Sequence, residues 1–260
     1  MLAAARHSAI VAEVQRERIV RVADLAKLLG VSLMTVRRDI EALDAAGTLE
    51  KIHGGAKLPG GVGTHEPGFE LKATELQAEK MAIAGEAAAQ VREGMAVGLS
   101  AGTTTWALAQ ILATGPRITV VTNSVRIADV FQQGGSQSTV IIIGGERTPS
   151  DALVGPLATA ALHQLHLDVL FLGVHGVDAE AGFTTPNVLE AETNRAFVAA
   201  ARRVVVLADH TKWGTLGISS FAGLEDADEL ISDDRLPGEA RRILGERVGR
   251  LRLATVSAAG

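Results

Sequence analysis

Five short runs of this chain are apolar along nearly their whole length, and stretches with helical spacing separate them. The runs are 95–99, 118–122, 139–143, 169–172 and 204–207, and the helical stretches between them are 104–113, 124–133, 155–165 and 188–202. A strand that buries one face alternates apolar and polar residues, whereas a strand apolar throughout is covered on both faces. Such strands separated by helices predict an α/β domain with a mainly parallel sheet. Ligands of these sheets bind beyond the carboxyl ends of the strands. Hydrophobic residues make up 47% of the chain and aromatics only 3%, so the core is built from Ala, Val, Leu and Ile.

The segments that follow the five runs carry the unusual chemistry. Ser100-Ala101-Gly102-Thr103-Thr104-Thr105 joins the first run to a helix. Glycine lets the backbone approach an anion, the hydroxyls donate, and the helix N-terminus offers free N–H groups, which suits phosphate. The same residues also suit a Ser/Thr-capped helix after a turn glycine. They match neither a dinucleotide fingerprint nor a nucleotide P-loop. Thr122-Asn123-Ser124, Gly144-Gly145-Glu146-Arg147, Gly173-Val174-His175-Gly176-Val177-Asp178 and Asp209-His210-Thr211-Lys212-Trp213 end the other runs. Five polar strand ends in one sheet predict a pocket, with Ser100, Gly102, Thr103, Thr104, Asn123, Gly145, His175, Asp178 and Lys212 as its candidate residues. The only two tryptophans, Trp106 and Trp213, flank the same loops.

The amino-terminal part has a different pattern. Residues 22–29 form an amphipathic helix with Leu25, Leu28 and Leu29 apolar, then Gly30 and Val31 leave a tight turn. Ser32 is an N-cap residue. In Val31-Ser32-Leu33-Met34-Thr35-Val36-Arg37-Arg38-Asp39-Ile40 the i, i+4, i+7 set Val36, Ile40 and Leu43 faces a core while Arg37 and Arg38 project away. Residues 8–17 suit a preceding helix, Ile19 and Val20 a small strand, and 48–53 a second strand before Gly54-Gly55. Two short helices, a glycine turn, a basic second helix and a small hairpin are the form of a winged helix-turn-helix. A three-helix bundle with a solvated basic face would share the helices but not the cap, paired arginines and wing together. The candidate DNA-binding residues are Ser32, Met34, Thr35, Arg37 and Arg38, with Lys51 and His53 on the wing. Charge divides accordingly: residues 1–57 carry a net +2 and the remainder −7. An acidic body confines DNA contacts to the basic module.

These residues carry a resemblance. Val22-Ala23-Asp24-Leu25-Ala26, Val31-Ser32, Thr35-Val36-Arg37-Arg38-Asp39-Ile40, Leu43, Gly47-Thr48-Leu49 and His53-Gly54-Gly55-Ala56 resemble the N-terminal domain of the DeoR family of transcriptional regulators. Residues 75–232 resemble its effector domain, which is similar in fold to ribose-5-phosphate isomerases and coenzyme A transferases. The resemblance implies a phosphorylated sugar, as effector and not as cofactor, held by Gly102-Thr103-Thr104 with Lys212 supplying charge. Ser100 and His175 depart from the family pattern, at positions the resemblance turns toward the sugar.

The organisation expected is a winged helix-turn-helix over 1–57, a breaker-rich linker over 58–68 and a sensor domain over 69–260, opening with a long helix at 69–91. There is no cysteine, and the seven histidines show no ligand spacing, so no disulfide, metal site or cofactor is expected. No apolar run reaches membrane-spanning length, which implies a cytoplasmic protein without membrane contact. The rival function is an isomerase-like enzyme using Asp178, Glu190, Glu192 and Lys212. It lacks the lysine-rich segment of the isomerases, since 173–194 contains no lysine, and leaves the basic module unexplained. The reading is therefore a non-enzymatic regulator, a repressor of a carbohydrate-catabolism operon. Its partners are operator DNA, a phosphorylated sugar and its own copies as a dimer or tetramer, because dimers pair half-sites.

Overall fold

A computed structural model of the protein describes residues 3–17, 19–52, 54–57 and 69–256. They fall into two compact units, divided between His65 and Glu66.

In the first unit, α1 (Ala3–Glu17) is followed by β1 (Ile19–Arg21), α2 (Val22–Leu29), α3 (Leu33–Ala45), β2 (Glu50–Ile52) and β3 (Gly55–Lys57). Ile10, Val14, Leu25, Val36, Ile40 and Leu49 meet in a core from which water is excluded. Gly30 ends α2 at φ +63°, a left-handed position that lets the chain reverse within three residues. The Ser32 Oγ accepts from the Thr35 amide at 3.1 Å and so caps α3. Antiparallel pairing in the order β1-β3-β2 makes the wing three-stranded, because β3 pairs β1 as well as β2. Asp39, next to the paired arginines in sequence, turns inward. It is buried against α1, where it accepts from Arg6 Nη2 at 2.8 Å and lies 3.0 Å from His7 Nε2. The bonds from Arg6 hold its carboxyl below the usual range.

The second unit begins with α4 (Phe69–Thr74) and α5 (Gln77–Ala88). Helical spacing over 69–91 predicted one helix, but Leu76 at φ +49° breaks it. The chain then runs through β4 (Ala96–Leu99), α6 (Thr103–Leu112), β5 (Thr119–Thr122), α7 (Val125–Gln133), β6 (Thr139–Ile142), β7 (Glu146–Arg147), β8 (Leu153–Val154) and α8 (Pro156–Leu162). After these come β9 (Val169–Gly173), β10 (Gly176–Asp178), β11 (Gly182–Thr185), α9 (Val188–Ala200), β12 (Val204–Leu207), β13 (Ser219–Ala222), β14 (Glu229–Asp233), α10 (Gly238–Arg247) and β15 (Leu251–Ala254). Seven of the strands form one sheet in the order β15-β14-β12-β9-β4-β5-β6, all pairs parallel. The β9 and β12 strands sit centrally and are buried on both faces, as apolar strands must be. By contrast β6 is an edge, with Ile141 and Ile142 exposed. Two apolar layers flank the sheet, one gathered around Phe197 and Leu170, the other around Leu108 and Phe171. A small antiparallel sheet, β10-β11-β13, stands beside the carboxyl end of β9.

Candidate functional site

On the first unit, α3 presents an outer face of Leu33, Met34, Arg37 and Arg38, all exposed. Neither arginine makes a hydrogen bond or ion pair with a described residue. The Ser32 and Thr35 hydroxyls lie 2.9 Å apart, so each is engaged in the cap. Lys51 lies on β2 and pairs with Glu41 at 2.6 Å, a surface pair of small worth that a phosphate can displace. His53 lies outside the described residues.

On the second unit, a cleft opens at the carboxyl ends of β4 and β9. Gly102, Thr103 and Thr104 form one wall at the N-terminus of α6, whose free N–H groups and dipole favour an anion. His175, half-buried, follows β9, and Lys212 comes from the loop after β12. These five sequence-predicted residues meet.

The other four are placed elsewhere. Ser100 is buried, and its Oγ accepts from the Gly173 amide at 2.9 Å, tying β4 to β9. Asn123 is buried with its Oδ1 on the Ala101 amide at 2.8 Å and its Nδ2 on the Leu153 carbonyl, so it shapes the loop from behind. Gly145 packs on β8, where a Cβ would come within 2.4 Å of the Val154 carbonyl oxygen. Asp178 accepts from the Glu180 and Ala181 amides in a hairpin turn.

Several lining residues have no strong sequence signal. Phe69 and Lys72 come from α4, and Ser150 from the loop after β7. Thr185, Glu190 and Asn194 also line the cleft. The signal for the last two is their i, i+4 spacing behind the Asn187 N-cap, which places both on one face of α9. Thr185 Oγ1 donates to Glu190 Oε2 at 2.6 Å. The cleft is therefore lined by two kinds of group, Lys72, Lys212 and a helix N-terminus together with a carboxylate and an amide. Phe69 packs edge-on against Trp106, with ring centroids 5.6 Å apart, and under the Arg126 guanidinium at 5.2 Å. Trp213 instead packs on the core.

Beneath the cleft, Lys80 is buried and its Nζ donates to the carbonyls of Lys72 and Glu75, the latter at 2.7 Å. Burial pulls its pKa down; Asp209 opposes that shift and Lys212 adds to it. Next to them, His210 Nδ1 lies 2.9 Å from the fully buried Asp233 carboxylate, a bond that raises the pKa of the imidazole.

Residues 75–234 match the DeoR C terminal sensor domain, and residues 6–60 match the DeoR-like helix-turn-helix domain. The chain belongs to the DeoR family. It is a DNA-binding transcriptional regulator and not an enzyme. Among DeoR-family relatives, the HTH-type transcriptional regulator GlpR of Haloferax volcanii is 36% identical over 242 residues, covering 93% of this chain and 94% of the relative. The glycerol-3-phosphate regulon repressor of Escherichia coli is 28% identical over 249 residues, covering 95% and 98%. Among solved structures, ribose 5-phosphate isomerase A of Methanocaldococcus jannaschii matches at 17% identity and a TM-score of 0.39, over 52% of this chain and 54% of that one. Within this DeoR-family chain, no described helix is long and apolar enough to cross a membrane, and no described cluster of carboxylates and imidazoles has a metal-binding arrangement.

Proposed function

We propose that this regulator represses a carbohydrate-catabolism operon and that a phosphorylated sugar bound in the cleft controls its hold on the operator. The observation that carries this reading is that Lys72, Lys212 and the N-terminus of α6 all line a single cleft. Two cations and free backbone N–H groups suit a phosphate dianion. Glu190, Asn194 and His175, which line the same cleft, suit hydroxyls, which donate to a carboxylate and exchange bonds with an amide or imidazole. The name of the Escherichia coli relative, a glycerol-3-phosphate regulon repressor, agrees with a small phosphorylated polyol as the class of effector.

In this reading the operator is bound by α3 through Arg37 and Arg38, with Lys51 on the wing reaching phosphate. The module is 1–57, the sensor 69–260, and copies pair as a dimer or tetramer in the cytoplasm so that two recognition helices meet two half-sites. Thermal-shift screening against sugar phosphates tests it. A matching ligand at a hundredfold its Kd adds about 2.7 kcal/mol and alters operator binding. The unphosphorylated sugar does neither. If no phosphorylated sugar raises the Tm or changes DNA affinity, the effector assignment is wrong.

A further inference from the structure

The outer face of α3 exposes two apolar side chains that the electrostatic account of DNA binding leaves unused. Leu33 is 49% exposed and Met34 58%, although both begin a helix whose inner face, Val36, Ile40 and Leu43, is buried. Residues four apart share a helix face, so Leu33 lies in line with Arg37 and Met34 with Arg38. Helical side chains lean toward the N-terminus. The two apolar groups therefore project ahead of the arginines, at the end that a helix-turn-helix presents to base edges. The hydroxyls of that first turn are already partly engaged: Ser32 Oγ accepts from the Thr35 amide and meets the Thr35 hydroxyl. Beside its hydroxyls and free amides, the first turn therefore offers a groove hydrocarbon and thioether, flanked by positive charge that draws it against a polyanion.

We propose that Leu33 and Met34 pack against thymine 5-methyl groups in the major groove of the operator, so that this chain reads thymines through shape. The inference rests on the placement of α3 in that groove. The thymine methyl is the apolar feature of the major-groove base edges, and it is the surface these side chains can bury there. An unbranched thioether with three rotatable bonds adapts to a methyl at slightly different depths. Arg37 and Arg38 fix the approach of the helix, while the apolar pair senses what stands in front of it.

The experiment uses the full chain and its own best duplex, selected from random DNA. Each thymine is then replaced in turn by deoxyuridine, which keeps every hydrogen-bonding group and removes only the methyl. At one or two thymines in each half-site, binding should weaken about fourfold, the worth of one buried methyl. At the remaining positions it should not change. Leu33→Ala or Met34→Ala should abolish the deoxyuridine effect at its own thymine and leave it at the other. Arg37→Ala with Arg38→Ala should weaken binding to both duplexes alike. The wild-type measurement alone decides the matter if an alanine variant fails to fold. Uniform tolerance of deoxyuridine, or a selected half-site without thymine, overturns the proposal even when the arginine variant loses affinity. If no sequence is selected, or the arginine variant binds as wild type, the placement of α3 itself is wrong and the proposal falls with it.

Discussion

Replacing Lys80 by methionine should loosen one wall of the cleft without unfolding the sheet. The α4 helix has six residues, half or less of the roughly 12–15 that an isolated helix needs in water. Its hold comes from Phe69 against Trp106, from Glu70 on Arg126 at 2.7 Å, and from Lys80 at its carboxyl end. Methionine keeps the bulk of the lysine stem and removes the ammonium. Two hydrogen bonds from a charged donor are lost, each worth about 1.5–3 kcal/mol, and relief of a buried charge offsets about one of them. The remaining weakening, about 1.5–3 kcal/mol, should let the amides of Ala73 and Thr74 exchange roughly ten- to a hundredfold faster through local opening. Hydrogen exchange read by mass spectrometry checks this, with β9 amides such as Phe171 as internal reference. Because Lys72 rides on α4, affinity for a phosphorylated ligand should fall in the same variant. Unchanged exchange at Ala73 and Thr74, or loss of protection throughout the sheet, would refute the reasoning.

Arg37→Ala with Arg38→Ala should lower the steepness of the salt dependence of operator binding by up to about 1.8, or about 0.9 per phosphate released. Titration of DNA binding against salt reads this directly. In a Trp213→Phe background, a matching sugar phosphate should change Trp106 emission saturably through Phe69. Lys212→Ala and Thr103→Ala should remove the change and leave DNA binding in place. His210 has a raised pKa in the fold, so its contribution to stability is complete below about pH 6.5 and is lost as pH rises through the folded value. For Asp233, burial pushes upward but the bonds from His210 outweigh it and the carboxyl stays low, so its share is lost as pH falls through its own folded value. Urea unfolding across pH should show both limbs, and His210→Gln should flatten the alkaline one.

Much of this architecture was legible in the chain. The second helix matches the spacing from Val22 to Leu29, the five apolar runs became β4, β5, β6, β9 and β12, and the paired arginines stand out on α3. The failures have physical causes. A strand written Glu-Leu-Ile-Ser-Asp does not look buried, yet β14 is buried at every residue. Arg203 and Arg252 neutralise Glu229, and His210 neutralises Asp233. Such partners are distant in sequence. Leu76 breaks a helix that its spacing continues, because a left-handed leucine announces nothing in a sequence; the break is held by Lys80 reaching back to two carbonyls. Within the cleft, the loops at strand ends were readable, since a parallel sheet puts its ligand there. Lys72 and Phe69 were not, because they enter from a segment that precedes the sheet.

The inward turn of Asp39 also governs how the recognition helix looks to a polyanion from a distance. In the proposed reading α3 approaches phosphates, yet it carries a carboxylate directly after its two arginines, and Arg6 pairs with that carboxylate. Arg6 thereby acts as a counterion built into the scaffold: it cancels a repulsion that would otherwise reach through the helix in a medium of low permittivity. A substitution at Arg6, which lies on α1 and not on the helix of the paired arginines, would then mimic the loss of a DNA contact. A variant found there by a screen for derepression would be misread as marking the operator interface.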